Sequence, residues 1–215
     1  MSLYLKNKEF LFSLLIVIFF IVGLLLHMIP LTHQYVLAIT DLTMLLTNSI
    51  VFYFLFRNQQ SKVLLYWSLT AFLLTFLIEL AGVKTGLIFG EYHYGRTMLV
   101  QLFDVPLVIG MNWVILMLGS YSIIQWMGLK RYYVPILSSL LIVGFDFVME
   151  EVAMRLDYWQ WEGGVVPLQN YIAWFFISLI FTSILALLKV NVESRIIKVY
   201  FLVQLGFFVV LRVMG

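Results

Sequence analysis

Two acidic residues, Asp146 and Glu150, lie four positions apart in the middle of a long apolar segment. On an α-helix this spacing places them one turn apart on the same face, where two negative charges repel each other. A lone carboxylate is also costly in hydrocarbon, so we expect the pair to share a proton or to face a polar cavity. A carboxylic acid beside a carboxylate supplies both a general acid and a general base. The pair is therefore the first candidate for acid/base catalysis.

The composition indicates what kind of protein must position this pair. The chain has 215 residues, of which 63% are hydrophobic and only 11% are charged. Such a chain is too apolar for an ordinary soluble domain, and the net charge of +2 gives no sign of nucleic-acid binding. We expect an all-α fold, a polytopic membrane helix bundle that forms a single integral membrane domain over residues 1–215.

The membrane spans follow from segments of about 20 apolar residues, the length that crosses the hydrocarbon core. Seven such segments are predicted. The first has no small-residue cleavage site after it, so we interpret it as a retained helix, with a cleaved signal peptide as the alternative. Their ranges are 10–29, 35–56, 63–83, 106–126, 132–156, 167–188 and 196–214.

The distribution of lysine and arginine predicts the orientation. With a cytoplasmic N-terminus, nine basic residues fall on the inner side and four on the outer side, as the positive-inside rule requires. We therefore expect a multi-pass protein of the cell (inner) membrane with its C-terminus outside. In this topology nine of the eleven carboxylates fall in the outer halves of helices or in outer loops, so a site is expected to open outward.

Two outer loops, 79–106 and 157–167, are rich in glycine and in aromatic residues. Both are too apolar for disordered segments, and both flank the helix that carries Asp146, so we expect them to fold over the outer mouth of the bundle. The alternative is that their rings form only the aromatic belt that is common at membrane interfaces. The rings concerned are those of Tyr92, Tyr94, Trp159 and Trp161.

An ordered series of motifs between residues 79 and 174 resembles a known family. The chain is similar here to the carotenoid biosynthesis membrane proteins, which include the carotenoid 1,2-hydratases and bisanhydrobacterioruberin hydratase. The series covers a little under half of the chain. It consists of Glu79-x-x-Gly-Val-x-Thr-Gly-x-x-Phe-Gly-x-Tyr-x-Tyr94, Val105-Pro106, Trp113, Asp146, Tyr158-Trp159-x-Trp161, Gly164 and Val166-Pro167-Leu168-x-Asn170-Tyr171-x-x-Trp174.

The chain departs from this family at one point. Where the family usually places an Asp-Pro pair after the aspartate matched by Asp146, this chain has Glu150 and Glu151. The carboxylate is kept with one more methylene, and the proline kink is lost. Glu151 lies about 100° from Glu150 around the helix, and we expect it to pair with Arg155.

The resemblance implies a carotenoid biosynthesis enzyme, a hydratase (hydro-lyase) that adds water across the terminal C=C bond of an acyclic end group. It implies a lycopene-like polyene and water as partners, within membrane lipid. Asp146 and Glu150 would be the catalytic acid/base pair, with Glu79 and His93 as secondary candidates. Asn170 would orient a carboxylate or a water, or would form only an interhelical hydrogen bond. The rings that would bind the polyene end are those of Tyr92, Tyr94, Trp113, Trp159, Trp161 and Trp174.

No cofactor and no metal are expected. The chain has no cysteine and three scattered histidines, which leaves little material for a metal centre. Four alternatives stay open: a non-catalytic carotenoid-binding or assembly protein, a carotenoid cyclase, an isomerase, and a membrane prenyltransferase. Asp41 and His27 lie outside the motif region, and for them we expect structural pairing.

Overall fold

The computed structural model describes residues 3–214, with side chains from residue 7 onward. Residues 1, 2 and 215 of the predicted domain lie outside the described part. Within that part the fold is all-α apart from two very small sheets. The strands are β1 (Tyr92–Tyr94), β2 (Gln101–Leu102), β3 (Val105–Pro106) and β4 (Trp159–Trp161). The helices are α1 (Leu3–Met28), α2 (Pro30–Ala38), α3 (Thr40–Gln59), α4 (Lys62–Thr85), α5 (Leu107–Trp126), α6 (Tyr133–Arg155), α7 (Leu168–Leu187) and α8 (Arg195–Met214).

Fewer helices qualify as membrane spans than the seven that the sequence predicts. Five described helices are long and apolar enough to cross a membrane, namely α1, α4, α5, α7 and α8. The predicted second span is broken into α2 and α3, which meet at an angle of 62° and make a sixth span if they are counted together. The helix α6, which carries the acidic pair, is not among them, although it packs against α5, α7 and α8. Five or six elements of the described chain are thus long and apolar enough to cross a membrane, as expected for a helical membrane protein.

The centre of the bundle is α5. In its most apolar stretch 78% of the residues are buried, against 11% in α1. Small residues allow neighbouring helices to come close to it. A Cβ atom at Gly119 would lie only 2.8 Å from the Cβ of Phe201, so glycine at this position allows α8 to pack directly on α5.

One end of the bundle is fixed by a buried carboxylate on α1. The side chain of Glu9 is 4% exposed. Its Oε1 accepts hydrogen bonds from the backbone N–H groups of Arg195 and Ile196, at 2.9 and 3.1 Å, and from the hydroxyl of Ser194 at 3.0 Å. Its Oε2 accepts from Asn58 Nδ2 at 2.9 Å. Glu9 therefore caps the N-terminus of α8, where a negative charge is stabilised by the free N–H groups.

The two aromatic loops pair with each other at the other end of the bundle. The strands β1 and β4 are antiparallel, with Tyr92 opposite Trp161, His93 opposite Gln160, and Tyr94 opposite Trp159. The expectation that both loops lie on the same side of the bundle is confirmed. Their orientation relative to the cytoplasm stays a prediction.

The loop pairing leaves no room for a side chain at Gly95. A Cβ atom there would lie 2.1 Å from the backbone oxygen of Asp157. Because the obstacle is backbone, Gly95→Ala is expected to lower the free energy of unfolding by about 1–3 kcal/mol, as overpacking does. The measurement is thermal unfolding of the purified protein in detergent. The matched control is Gly144→Ala on α6, where an added Cβ meets nothing within 4 Å. Equal unfolding temperatures for the two variants would contradict the prediction.

Candidate functional site

Strand alternation directs four aromatic side chains toward the bundle. Successive side chains of a strand point to opposite faces, so Tyr92 and Tyr94 on β1 share a face with Trp159 and Trp161 on β4. The residue between the tyrosines, His93, lies on the opposite face and is exposed. The structure therefore does not bring His93 to the site, and the secondary catalytic role predicted for it has no geometric support.

The carboxylate of Glu150 on α6 is held by three donors. Its Oε2 accepts hydrogen bonds from Trp159 Nε1 at 2.8 Å and from Trp161 Nε1 at 2.7 Å. Its Oε1 accepts from Asn170 Nδ2 at 3.2 Å. The side chain is 3% exposed. Trp159 and Trp161 of the strand β4 thus bind the carboxylate directly, which rings that form only an aromatic belt would not do.

The carboxylate of Glu79 on α4 is held in the same way. Its Oε2 accepts from the hydroxyls of Tyr92 and Tyr94, the second at 3.0 Å, and its Oε1 accepts from Trp113 Nε1 at 3.2 Å. Burial raises the pKa of both tyrosine hydroxyls well above the usual value, and the nearby charge of Glu79 adds to this. Both hydroxyls therefore stay protonated at neutral pH and remain donors.

Asp146 has a different environment from the two glutamates. Its Oδ2 accepts a single hydrogen bond, from Asn170 Nδ2 at 2.8 Å. Its Oδ1 is buried and has no hydrogen-bond partner among the described residues. Of the three buried carboxylates in the site, only this one presents an unpaired oxygen.

The amide of Asn170 separates the acidic pair. Its Nδ2 donates to Asp146 and to Glu150, and the described residues contain no direct hydrogen bond between these two carboxylates. The sequence left two alternatives for the pair, a shared proton or a polar cavity. Both carboxylates line the cavity described below, and the amide of Asn170 bridges them. Asn170, at the start of α7, both orients the carboxylates and joins α7 to α6. The two roles that the sequence left open are therefore combined.

Stacked rings form a second wall of the site. The rings of Trp113 and Trp174 are stacked with centroids 3.4 Å apart, and Phe89 stacks on Trp174 at 5.2 Å. Gly82 permits this, because a Cβ there would lie 2.4 Å from the Phe89 ring. The faces of these rings carry negative electrostatic potential, which stabilises a nearby cation.

These groups surround a cavity of about 40 Å³. A volume of this size has room for about two or three water molecules. Of the eleven site residues predicted from the sequence, all except His93 line it. Phe89 and Tyr158 also line it and belong to the motif series, although the sequence does not predict them as site residues. The sequence does not single out the other lining residues, among them Met44, Asn112, Met149, Gln204 and Phe208. The sequence could have indicated Asn112 and Gln204 as site residues, because polar side chains within apolar helices are often functional.

Three predicted pairings outside the cavity can be compared with the structure. Glu151 forms a salt bridge of 2.9 Å with Arg212, and Arg155 donates instead to the backbone oxygen of Leu211, so the expected pair of Glu151 and Arg155 is wrong. The reason is that the end of α8 lies beside α6 and supplies both partners. Oδ2 of Asp41 accepts a hydrogen bond from the backbone N–H of Val100 at 2.8 Å. Nδ1 of His27 is hydrogen-bonded to the backbone oxygen of Gly23, also at 2.8 Å.

The arrangement is suited to proton transfer in an apolar setting. It combines an unpaired carboxyl oxygen, two carboxylates fixed by N–H and O–H donors, and aromatic faces around a water-sized space. Such a set can protonate an apolar group, stabilise the resulting cation, and accept a proton from water. The described residues contain no group of three or more histidine, cysteine, aspartate or glutamate side chains arranged to hold a metal ion.

Comparison with known proteins identifies the family. The family model described as "Carotenoid biosynthesis protein" matches residues 39–214, which is most of the chain. This match includes every residue of the cavity described above. Comparison with curated proteins and with solved structures found no match.

Proposed function

The chain belongs to the carotenoid biosynthesis protein family, and on this premise we propose that it is a hydratase. It adds water across the terminal C=C bond of an acyclic carotenoid end group, without a cofactor. The observation that carries the proposal is the unpaired Oδ1 of Asp146 on a buried, water-sized cavity with aromatic walls.

Asp146 acts as the general acid in this proposal. Each glutamate carboxylate accepts three hydrogen bonds, which stabilise its charged form, whereas Asp146 accepts one. The proton in the site is therefore assigned to Oδ1 of Asp146. Its transfer to the terminal CH carbon of the double bond consumes the π electrons and leaves a tertiary carbocation on the neighbouring carbon.

The second step is the attack of water on this carbocation. The stacked faces of Trp113 and Trp174 and the charges of Glu150 and Glu79 stabilise the cation. A water molecule forms the new C–O bond, and its surplus proton passes to Glu150. Return of that proton to Asp146 restores the starting state, so the net change is the addition of one water to give a tertiary alcohol.

The chain's departure from the family's Asp-Pro pair fits this scheme. Without the proline, α6 continues unbroken to Arg155. The longer side chain of Glu150 reaches the two indole N–H groups of β4. The Glu150 carboxylate is thereby fixed by the aromatic strand.

Expression in a host that accumulates an acyclic carotenoid tests the proposal. Mass analysis of the pigments is expected to show products heavier by one or two water molecules. A product of unchanged mass would identify a cyclase or an isomerase instead. Unchanged pigments would favour a binding or assembly protein, and a gain of a prenyl unit would favour a prenyltransferase; each of these results overturns hydration.

Two neighbouring residues on β1 provide a matched test of the strand register. Tyr94→Phe removes one hydroxyl donor from Glu79 and is expected to lower turnover by about tenfold, the value of one hydrogen bond to a charged group. His93→Phe, on the opposite face, is expected to keep turnover within about twofold of the wild type, as exposed positions usually do. Initial rates in membranes with equal protein content measure both. A larger loss for His93→Phe than for Tyr94→Phe would contradict the register.

A further inference from the structure

A second cavity, of about 130 Å³, lies beside the first between α1, α2, α3 and α8. We call it the lateral cavity. Four side chains line both cavities and therefore form the wall between them: Met44, Tyr158, Gln204 and Phe208. The lateral cavity is thus adjacent to the space that Asp146 faces.

The walls of the lateral cavity are mostly apolar: apart from His27, Tyr158 and Gln204 they consist of apolar side chains, glycine and threonine. The hydroxyls of Thr40, Thr43 and Thr47 donate to backbone oxygens three or four residues earlier in the chain, at 3.0, 2.8 and 2.9 Å. Their hydrogen-bonding capacity is used locally, as is common for threonine in apolar helices. No aspartate, glutamate, lysine or arginine lines this cavity among the described residues.

The lateral cavity reaches the apolar outer surface of the bundle. Phe19 and Val22 on α1 line it and are 41% and 46% exposed. Ile39, at the break between α2 and α3, also lines it and is 49% exposed. In a membrane protein, exposed apolar residues along the helices face lipid. The lateral cavity therefore connects the lipid side of α1 and α3 with the wall of the carboxylate cavity.

We propose that the lateral cavity binds the polyene chain of the carotenoid, which enters sideways from the lipid with its reacting end toward Asp146. This inference rests on the proposed function for the identity of the ligand. A long hydrocarbon gains nothing by leaving lipid for water, so its path to a buried acid must be largely apolar. The lateral cavity supplies such a path and shares a wall with the cavity that Asp146 lines.

The shared wall must move for the end group to react. The carboxylate cavity has room for only about two or three waters, whereas the end group of an acyclic carotenoid contains several carbon atoms. Met44 is unbranched and flexible, which suits a side chain that moves aside. Gln204 donates to Asn112 at 3.0 Å, and its Oε1 is buried with no partner among the described residues. This oxygen is positioned to accept a hydrogen bond from the water or from the alcohol product.

Gly23 offers a direct test. It lines the lateral cavity, and a Cβ there meets only the Phe207 ring, at 4.0 Å, so Gly23→Leu extends a side chain into the cavity. The control is Gly206→Leu on α8, where an added Cβ meets nothing within 4 Å and which lines neither cavity. Two quantities are measured: the carotenoid retained per protein after purification, and KM and kcat for a full-length acyclic carotenoid and for a short isoprenoid alkene with the same end group.

The expected result is selective for chain length. Gly23→Leu should retain about tenfold less carotenoid and raise KM for the full-length substrate by a similar factor, with a much smaller rise in KM for the short alkene. Gly206→Leu should match the wild type. Unchanged retention, or equal losses for long and short substrates, would overturn the proposal. If Gly23→Leu fails to fold, Val36→Phe, from α2, carries the same expectations.

The two proposals fail in distinguishable ways. If wild-type protein retains carotenoid but hydrates no substrate, and Gly23→Leu lowers retention, the lateral binding site is supported and the hydration proposal is wrong. If wild-type protein hydrates both substrates and Gly23→Leu changes neither retention nor KM, the hydration proposal is supported and the lateral binding site is wrong.

Discussion

Asp146→Asn is expected to lower the rate of hydration by about a hundredfold to ten-thousandfold, the usual contribution of a general acid. Asparagine has nearly the same shape and still accepts from Asn170, but it carries no acidic proton for the alkene. The protein should therefore stay folded, with an unchanged elution profile in detergent and unchanged carotenoid retention. Initial rates with an acyclic carotenoid in membranes give the measurement.

The matched control for this variant is Asp104→Asn. Asp104 is exposed and pairs with Lys84 at the surface, so the same chemical change should alter the rate by less than about twofold. Near-normal product from Asp146→Asn would exclude the assigned acid. A comparable loss in the Asp104→Asn control would show that the effect is not specific to the cavity.

Glu150→Gln is expected to have the second-largest effect, a loss of about a hundredfold or more. It removes the group that accepts the proton of the attacking water. The new amide NH₂ is itself a donor, but the side chain is surrounded by three N–H donors. In one orientation the NH₂ faces Asn170, and in the other it faces the indoles of Trp159 and Trp161. One donor, that of Asn170, or both indole N–H groups are then left without an acceptor in a buried site, so some stability should be lost as well.

Glu151→Gln is the control for that change, one residue further along the same helix. Glu151 is half exposed, with 55% of its side chain accessible, and it pairs with Arg212 outside the cavity. Its neutralisation should leave the rate unchanged. It should change the free energy of unfolding by no more than a surface ion pair contributes, about 0–1 kcal/mol. Equal losses at residues 150 and 151 would mean that the catalytic face of α6 is assigned wrongly.

Much of the site follows from local sequence patterns. The spacing of Asp146 and Glu150 fixes a common helix face, and α6 preserves it. The alternation of Tyr92 and Tyr94, like that of Trp159 and Trp161, contains the information that these rings share one face once the segments are strands. The sequence indicates loops at these positions, and only the pairing of β1 with β4 shows that His93 faces away from the site.

Other features depend on contacts that no local pattern contains. Glu151 forms a salt bridge with Arg212 rather than with Arg155 because α8 ends beside α6. Gln204 reaches the cavity from a helix whose register against α5 is set by packing, including the close approach at Gly119. The bridge through Asn170 requires the first turn of α7 to pack against the acidic pair on α6. The break between α2 and α3 at Ile39 interrupts a segment that is, taken together, apolar enough for one span.

The most direct test of the central claim is the origin of the oxygen and hydrogen atoms in the product. Membranes that contain the protein are supplied with an acyclic carotenoid in water enriched in heavy oxygen and deuterium, under air of natural isotopic composition. Acid-catalysed hydration predicts a tertiary alcohol whose oxygen comes from water and which carries one deuterium on the carbon next to the alcohol carbon. Both labels should fall to background with Asp146→Asn. An alcohol whose oxygen comes from air, or one that lacks the carbon-bound deuterium, would contradict the account.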